Sequence, residues 1–429
     1  MQNLSRMTLT TAMDNATSLH GIPRSSTQPL AIYVHIPFCI QKCGYCDFNA
    51  YLYREGLARA YLVALRQEIL HTAAGQPWTE YVVSSVYFGG GTPSTLAPAD
   101  LIALLSLIRQ TFPVTTRAEI TVEADPGTIE LSGLEQLCAG GFNRISIGVQ
   151  AFDDGLLKNL DRLHAAADAR RALTWARRVG FLDLNLDLMF GVPGQTLAVW
   201  EANLHEAIAF TPTHLAVYGL TIEERTPFAQ RQRRGQLVLP DEEGQVAMFE
   251  RADQLLTAAG YVHYEISNYA LPGWRSQHNQ HYWHHGEYLG FGAGAHAYLH
   301  GWRWENERLP SRYIRAIAER GTAARDPECI DRHHLIHEGL MLGLRLREGI
   351  DVGAFASQYG VDLQTLFAVP IVELTQAGYV QLADGRLRLT TRGWLVADAV
   401  LGRFLAAEAQ EDSERRHIAR HLPGAHLAS

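Results

Sequence analysis

The 429-residue sequence contains no run of eighteen apolar residues, so no membrane-spanning helix is expected. Its first thirty residues lack the charged-then-apolar order of a secretory signal. They are rich in Ser, Thr, Asn and Gln, and residues 1–30 read as a disordered leader. Positive charge is also in short supply. There are 37 Lys and Arg against 45 Asp and Glu, a formal net charge of −8, which excludes the broad basic face of a general nucleic-acid binder. Cysteine is scarcer still, with five in the chain, and three of these fall at Cys39, Cys43 and Cys46. An odd count with tight clustering argues against a disulfide framework, and points to a reducing, cytoplasmic compartment and a metal site. Hydrophobic residues make up 47%, ordinary for a soluble globular chain, and the length implies two or three domains.

From Ala31 the sequence alternates between strand-like and helix-like segments. Strands are expected at Ala31–Ile36, Val82–Phe88, Glu119–Glu123, Arg144–Gly148, Asp183–Met189 and His214–Leu220, each short and rich in Val, Ile, Leu or Tyr. Between them lie helical spacings: Leu57, Tyr61, Leu65 and Ile69 share one face, and two more helices are expected over Ala99–Gln110 and Leu197–Phe210. Repeated β-then-α order implies a parallel sheet with helices outside it. Six such units over 31–264 fit a partial (β/α)6 TIM-like barrel; a flat doubly wound sheet is the alternative that periodicity leaves open.

Residues 265–330 are dense in His, Trp, Tyr and Gly at their start, with weak periodicity, and read as a loop-rich covering segment. Over 331–407 helices are expected at His333–Leu346, Val352–Tyr359, Leu363–Ala377 and Thr391–Ala407. Two short strands, Tyr379–Leu382 and Leu387–Leu389, meet at Asp384–Gly385. This resembles a winged-helix α+β module. With seven Arg and eight acidic residues over 331–405 it carries no basic stripe, so it is assigned to packing, closure or partner contact and not to DNA. Residues 408–429 read as a flexible tail.

The chemistry concentrates in Tyr33-Val-His-Ile-Pro-Phe-Cys39-Ile-Gln-Lys-Cys43-Gly-Tyr-Cys46-Asp-Phe48. Thiolates are soft ligands that suit iron–sulfur clusters and zinc. A four-iron cluster usually takes four of them, so a group of three leaves one iron open to chelate the amino and carboxylate groups of a small molecule. The loop follows the first strand and so belongs at the carboxyl end of a barrel, where such folds keep their chemistry. A zinc knuckle is the competing reading, with His35 as a conceivable fourth ligand, but the second arm of paired cysteines that zinc sites use is missing. Cys138 and Cys329 stand alone and read as structural.

Further along, Gly89-Gly90-Gly91 follows the second strand, where bare backbone can approach a ligand. Glu123 and Asp125 end the third strand, Gln150 follows the fourth, and Asp187 lies near the end of the fifth. Any one of these could be an ordinary strand-end hydrogen bond. Their recurrence at strand after strand places acceptors for ribose hydroxyls and an ammonium on one rim.

Cys-x3-Cys-x2-Cys after a strand, with an aromatic before the third cysteine, resembles the radical S-adenosylmethionine (SAM) superfamily. The resemblance narrows on Gly89-Gly-Gly-Thr92-Pro93, Glu123-Ala-Asp125-Pro-Gly127, Arg144-Ile-Ser-Ile-Gly-Val-Gln150, Asp187-Leu-Met-Phe-Gly-Val-Pro-Gly194-Gln195-Thr196 and His278-Asn279-Gln-His-Tyr282-Trp283. These are similar to the anaerobic coproporphyrinogen III oxidases and their heme-chaperone relatives, the HemW subgroup, over about residues 30–405. The resemblance implies a [4Fe–4S] cluster on Cys39, Cys43 and Cys46, with Tyr33, Gly90 and Glu123 around one SAM. Tyr45, Gly91, Thr92, Gln150, Arg162 and Asp187 match positions that contact a second SAM in the oxidase.

Two features choose within the family. The oxidases resemble Cys-x3-Cys-x2-Cys-x-Cys, and here the fourth position is Phe48, which can neither ligate a metal nor relay a radical. The chaperones lack that cysteine and carry His-Asn-x-x-Tyr-Trp, kept here as His278–Trp283, which by resemblance serves heme binding. Seven of the nineteen histidines lie between His263 and His300, and imidazole is a common heme-iron ligand. His278 is thus the heme candidate, with His281, His284, His285 and His296 secondary; His296 is also placed to line the cofactor pocket. The resemblance therefore implies a heme chaperone that passes heme to acceptor hemoproteins, membrane-associated ones included, from the cytoplasm or the membrane face. The alternative is an oxygen-independent oxidase that decarboxylates propionates by radical chemistry, so whether the chain is an enzyme is open at this point.

Overall fold

The computed structural model describes residues 27–405. These separate into two compact units, 27–282 with 286–330, and 283–285 with 331–405.

The first unit is built on one twelve-stranded sheet. Six strands run in chain order: β1 (Gln28–Ile36), β2 (Tyr81–Gly90), β3 (Val114–Ala124), β4 (Arg144–Gln150), β5 (Asp183–Phe190) and β6 (His214–Gly219). Each pairs in parallel with the next. Helices Glu55–Ala74, Pro98–Thr111, Leu131–Ala139, Ala166–Val179 and Leu197–Ala209 connect them. Both faces of these strands are covered, which is why they read as near-continuous apolar runs. Leu30, Ile32, Val34 and Ile36 of β1 are fully buried, as are Val83, Val86 and Phe88 of β2. The first helix turns Tyr61, Leu65 and Ile69 into the core, the face that their spacing predicts. All six expected strands are present, and each expected helix of this region lies within one residue of its predicted span at either end. Because the six strands share one direction, their carboxyl ends form one rim and their amino ends one floor.

The first boundary shifts. Residues 28–30 belong to β1, with Leu30 fully buried; residues 1–26 lie outside the described residues. The larger correction concerns 265–330. This stretch carries most of six further strands, not a loop-rich cover: β7 (Val262–Glu265), β8 (Asn268–Ala270), β9 (Glu287–Phe291), β10 (His296–Leu299), β11 (Trp302–Asn306) and β12 (Ala324–Cys329). β9 pairs in parallel with β1 and becomes a seventh parallel strand, while β10, β11 and β12 continue antiparallel from it. β8 and β7 extend the other edge antiparallel to β6. Among the described residues β7 and β12 are the two end strands of the sheet. These strands are only three to six residues long, too short for a period-two pattern to stand out.

A buried carboxylate fixes the seventh strand in place. Glu68, on the first helix, accepts hydrogen bonds from the backbone N–H of Gly292 (2.8 Å), the Asn306 amide (2.6 Å) and the Tyr313 hydroxyl (2.6 Å). All its partners are neutral, and burial pushes its pKa up to about 7.

In the second unit a three-stranded antiparallel sheet (Ile350–Asp351, Arg386–Leu389, Val380–Ala383) lies with helices Arg332–Gly343, Val352–Tyr359, Leu363–Leu366 and Ala368–Gln376. The wing turns at Asp384 and Gly385, both at positive φ, as a two-residue hairpin loop requires. The single helix expected over Leu363–Ala377 is broken at Phe367 (φ −110°, ψ 29°), three residues ahead of Pro370, which has no N–H to carry a helix bond backward. The last helix is interrupted after Trp394; residues 406–407 of its expected span and the tail at 408–429 lie outside the described residues.

Candidate functional site

The cysteine loop grows out of the end of β1 and is held at its root by backbone bonds. The N–H groups of Gly91 and Thr92 donate to the carbonyls of Ile36 (2.9 Å) and Phe38 (2.8 Å). This contact needs glycine: a Cβ on Gly91 would meet the Phe38 backbone at 2.8 Å. Gly90 sits at φ +116°, and a Cβ there would strike the His35 ring at 2.4 Å. Within the loop Cys46 N–H donates to Cys43 O (3.2 Å), and Tyr53 N–H to Cys39 O (2.9 Å). The three cysteines are free and half-buried.

All three line a cavity of about 510 Å³ at the rim, together with Tyr45, Gly90, Gly91, Thr92, Glu123, Gln150, Arg162 and Asp187. The strand ends thus bring eleven of the thirteen sequence-derived site residues to one space. Gln150 holds a left-handed backbone (φ +63°) at the end of β4, a conformation that a non-glycine residue keeps only when its surroundings enforce it.

The donor set fits a cluster better than a single ion. A tetrahedral zinc with bonds near 2.3 Å would hold its sulfurs roughly 3.8 Å apart. Among the described residues the only trio of His, Cys, Asp or Glu ligand atoms within 4.8 Å of one another is Asp331, His333 and His334, so the three sulfurs are spread more widely than zinc allows. His35 is not positioned as a fourth ligand either: its Nδ1 lies 3.1 Å from the Tyr33 hydroxyl and its Nε2 3.0 Å from the Asn49 carbonyl. Two sulfurs already have polar neighbours. Thr92 Oγ1 donates to Cys39 Sγ (3.5 Å), and Arg162 Nη1 to Cys43 Sγ (3.6 Å). Arg162 is itself fixed by Asp125 (2.6 Å) and the Gly148 carbonyl (2.9 Å), so this cation is committed to the sulfur side of the cavity.

Asp125 has Arg162 as its ion pair, whereas Glu123 and Asp187 are held by neutral donors. Among the described residues Glu123 accepts from the Tyr87 hydroxyl (2.7 Å) and the Gly90 N–H (3.1 Å), and burial pushes its pKa up to about 7. Asp187 accepts from Asn185 (2.6 Å) and Ser146 (3.3 Å), and burial raises it to about 6. Two buried acids beside an open cavity suit a ligand that brings positive charge and hydroxyl donors, which is the chemistry of a sulfonium nucleoside bearing a free amino acid.

Two expected residues are elsewhere. The Tyr33 ring lies inside the barrel, stacked near Tyr87 (6.1 Å between centroids). His278 is 2% exposed and sits below the cavity, with Nδ1 2.9 Å from Ser85 Oγ and Nε2 3.0 Å from the Tyr282 hydroxyl. Both ring nitrogens are taken, and burial lowers its pKa to about 3. An iron could reach it only by displacing one of these partners. The other histidines do not converge: His281 Nε2 meets the Glu287 carbonyl (2.6 Å), His285 belongs to the second unit with Tyr359 (3.1 Å), and His284 is exposed. His296 is half-exposed, 3.7 Å from Glu305, and does not line the cavity.

Sequence reasoning missed Tyr87 and the floor network. Tyr87 lies two residues before Gly89, so it shares the glycine's face of β2, and that alternation was the available signal. On the floor, Glu119 accepts from the N–H groups of Gln277 (2.8 Å) and His278 (3.1 Å). Arg144 lies 3.5 Å from Asp183, and His214 joins Asn185 (2.6 Å) to Tyr264 (2.7 Å).

The model of the Radical SAM superfamily matches residues 33–207, and that of the HemN C-terminal domain matches residues 330–396. The chain is 38% identical over 376 residues to heme chaperone HemW of Bacillus subtilis, covering 87% of this chain and 98% of that protein. It is 37% identical over 385 residues to heme chaperone HemW of Escherichia coli, covering 88% and 98%. The solved structure of coproporphyrinogen III oxidase (HemN) from Escherichia coli, a radical SAM enzyme, is similar over 92% of both chains at a TM-score of 0.79 and 27% identity.

Proposed function

The chain belongs to the HemW subgroup of the HemN-like radical SAM family, and from that premise we propose that it is a heme chaperone, which binds heme and hands it to acceptor hemoproteins. Acceptors attached to a membrane, met from the cytoplasmic side, fall within the same proposal; among the described residues no helix is long and apolar enough to cross a membrane.

We assign the [4Fe–4S] cluster to Cys39, Cys43 and Cys46. Bound there, a cluster and SAM supply one-electron chemistry at a sulfonium. The chain's own residues bind and orient. Gly90 and Gly91 would offer bare backbone to the methionine end, Glu123 would take its ammonium, and Gln150 and Asp187 would accept from ribose hydroxyls. Arg162 donates to Cys43 Sγ, where its positive charge and hydrogen bond would favour the reduced state of a cluster held there.

The observation that carries the chaperone reading over the oxidase is Phe48. It lines the cavity mouth at 66% exposure, in the position where the oxidases resemble a fourth cysteine. A phenyl ring there supplies no thiol for a radical or proton relay, and it widens an apolar rim that includes Ile40 and Leu163. The oxidase reading draws on the fold shared with HemN, and a shared fold alone does not carry an activity. One experiment separates them. Reconstituted, reduced protein is mixed with heme in one tube and with coproporphyrinogen III plus SAM in another. Stable heme binding, followed by transfer to an apo-hemoprotein, is the expected result; appearance of vinyl product overturns it.

A further inference from the structure

The motif His278–Trp283 is left without a role by the geometry of the cavity, and its first residue sits at the centre of the barrel instead. Three rings stack there. His278 lies on Tyr87 with centroids 5.0 Å apart and planes 25° apart, and Tyr33 flanks both at 6.4 Å from His278 and 6.1 Å from Tyr87. The Tyr282 ring meets His278 edge-on at 4.9 Å. His278 cannot slide. Ser85 and Tyr282 hold its two nitrogens, and its backbone N–H donates to Glu119 (3.1 Å). The next member of the chain is polar: the Tyr87 hydroxyl donates to Glu123 Oε1 at 2.7 Å, while Oε2 takes the Gly90 N–H at 3.1 Å. A continuous series of contacts therefore runs from the barrel floor through His278 and Tyr87 to the carboxylate at the rim.

We propose that His278 is a positioning residue for the SAM site: it fixes the Tyr87 ring, and through the Tyr87 hydroxyl it fixes Glu123 for the methionine ammonium. This rests on the assignment of Glu123 made above. Its physical basis is that Glu123 is a buried acid whose hydrogen bonds, among the described residues, come from two neutral donors, so its direction depends on those donors. Tyr87 can hold its hydroxyl in place only while its ring is braced, and the brace on the floor side is an imidazole that burial keeps neutral. The motif's histidine thus serves the cofactor pocket from below and does not ligate heme iron.

The test uses the cluster-reconstituted full chain and two readouts: SAM affinity, followed by the change that SAM causes in the electron paramagnetic resonance of the reduced cluster, and heme affinity, followed by Soret absorbance. His278→Ala and Tyr87→Phe are each expected to weaken SAM about fivefold, a typical loss for an aromatic contact or a hydrogen bond. The double variant is expected to lose little more than the larger single, because both act on one carboxylate. His278→Phe, which keeps a stacking ring but cannot ligate iron, is expected to bind SAM within about twofold of the parent protein. All are expected to bind heme as the parent does. Unchanged SAM affinity in His278→Ala, losses that multiply in the double variant, or loss of heme in both His278 variants overturns the proposal. Should His278→Ala not fold, His278→Phe and Tyr87→Phe carry the same comparison. Glu123→Gln is the control on the underlying assignment: if it binds SAM normally, that assignment fails and this proposal with it, whereas a weak Glu123→Gln beside a normal His278→Ala overturns this proposal alone.

Discussion

Glu119 and Glu123 stand on the same strand, β3, and four residues of strand carry one roughly 13 Å beyond the other on the same face. Their surroundings differ in kind. At the floor Glu119 is met by two backbone N–H groups and the Ser276 hydroxyl, in a network that includes the buried guanidinium of Arg144. Burial works against the Arg144 charge, yet Glu119 and Asp183 keep it protonated well above the usual arginine value. At the rim Glu123 has a phenol and one N–H, faces the cavity, and has lost its preference for being ionised. An acid whose partners come from the protein is architecture. An acid buried at a cavity wall with only two donors has room for a ligand to complete its hydrogen bonding.

The sharpest break between the two ends comes from removing the thiols. Replacing Cys39, Cys43 and Cys46 by Ala is expected to abolish the visible iron–sulfur absorbance and the acid-labile sulfide while leaving the far-ultraviolet circular dichroism unchanged, because the barrel core lies elsewhere. A folding defect in that variant would mean that the rim is architecture too. At the floor the order reverses. Arg144→Met strands Glu119 and Asp183 without their cation and is expected to cost about 3 kcal/mol or more of stability. Thermal unfolding at matched cluster occupancy measures it, and a shift too small to detect would remove the floor's claim to hold the barrel.

Glu68 sharpens the comparison from a third position, since it is fully partnered like Glu119 yet has only neutral donors like Glu123. Its folded pKa, about 7, lies above the ordinary value for a glutamate. The stability it contributes is therefore fully present below about pH 4.5 and lost as pH rises through 7. Glu68→Gln is expected to gain on the parent protein by about 2 kcal/mol between pH 5 and 8, read as the difference between two Tm-against-pH curves. Parallel curves would show that Glu68 does not titrate in that window. The smallest effect is expected at Glu123. Glu123→Gln should weaken SAM about tenfold, the loss of one charged contact, with Tm unchanged or slightly raised. A large fall in Tm with normal SAM binding would place Glu123 with the floor acids and erase the distinction.

Much of this was legible in the residues. The parallel strands showed as apolar runs because both of their faces are covered, and the acids at strand ends shared a rim because parallel strands share a direction. Cys39, Cys43 and Cys46 are adjacent in sequence, so their grouping needed no fold. The seventh parallel strand, Glu287–Phe291, was not legible: five residues with a glycine inside carry no usable period, and its partner β1 lies some 250 residues away. The surroundings of His278 were not legible for a related reason. A histidine-rich stretch names candidate ligands, but whether a ring nitrogen is open depends on what packs against it: Tyr282 takes Nε2 from within the motif, whereas Ser85 reaches Nδ1 from a strand some 190 residues away.

By itself the sequence determined the ligand chemistry and the strand–helix order, because both are written in local spacing: three thiols within one loop, apolar runs between helical faces, glycines where backbone must come close. Only the tertiary structure decided which hydrogen-bond partners each buried acid has, and whether a histidine's ring nitrogens are already occupied. Those outcomes turn on desolvation and on the partners that fill each hydrogen-bonding position, and most of those partners are brought in by parts of the chain that no local pattern connects.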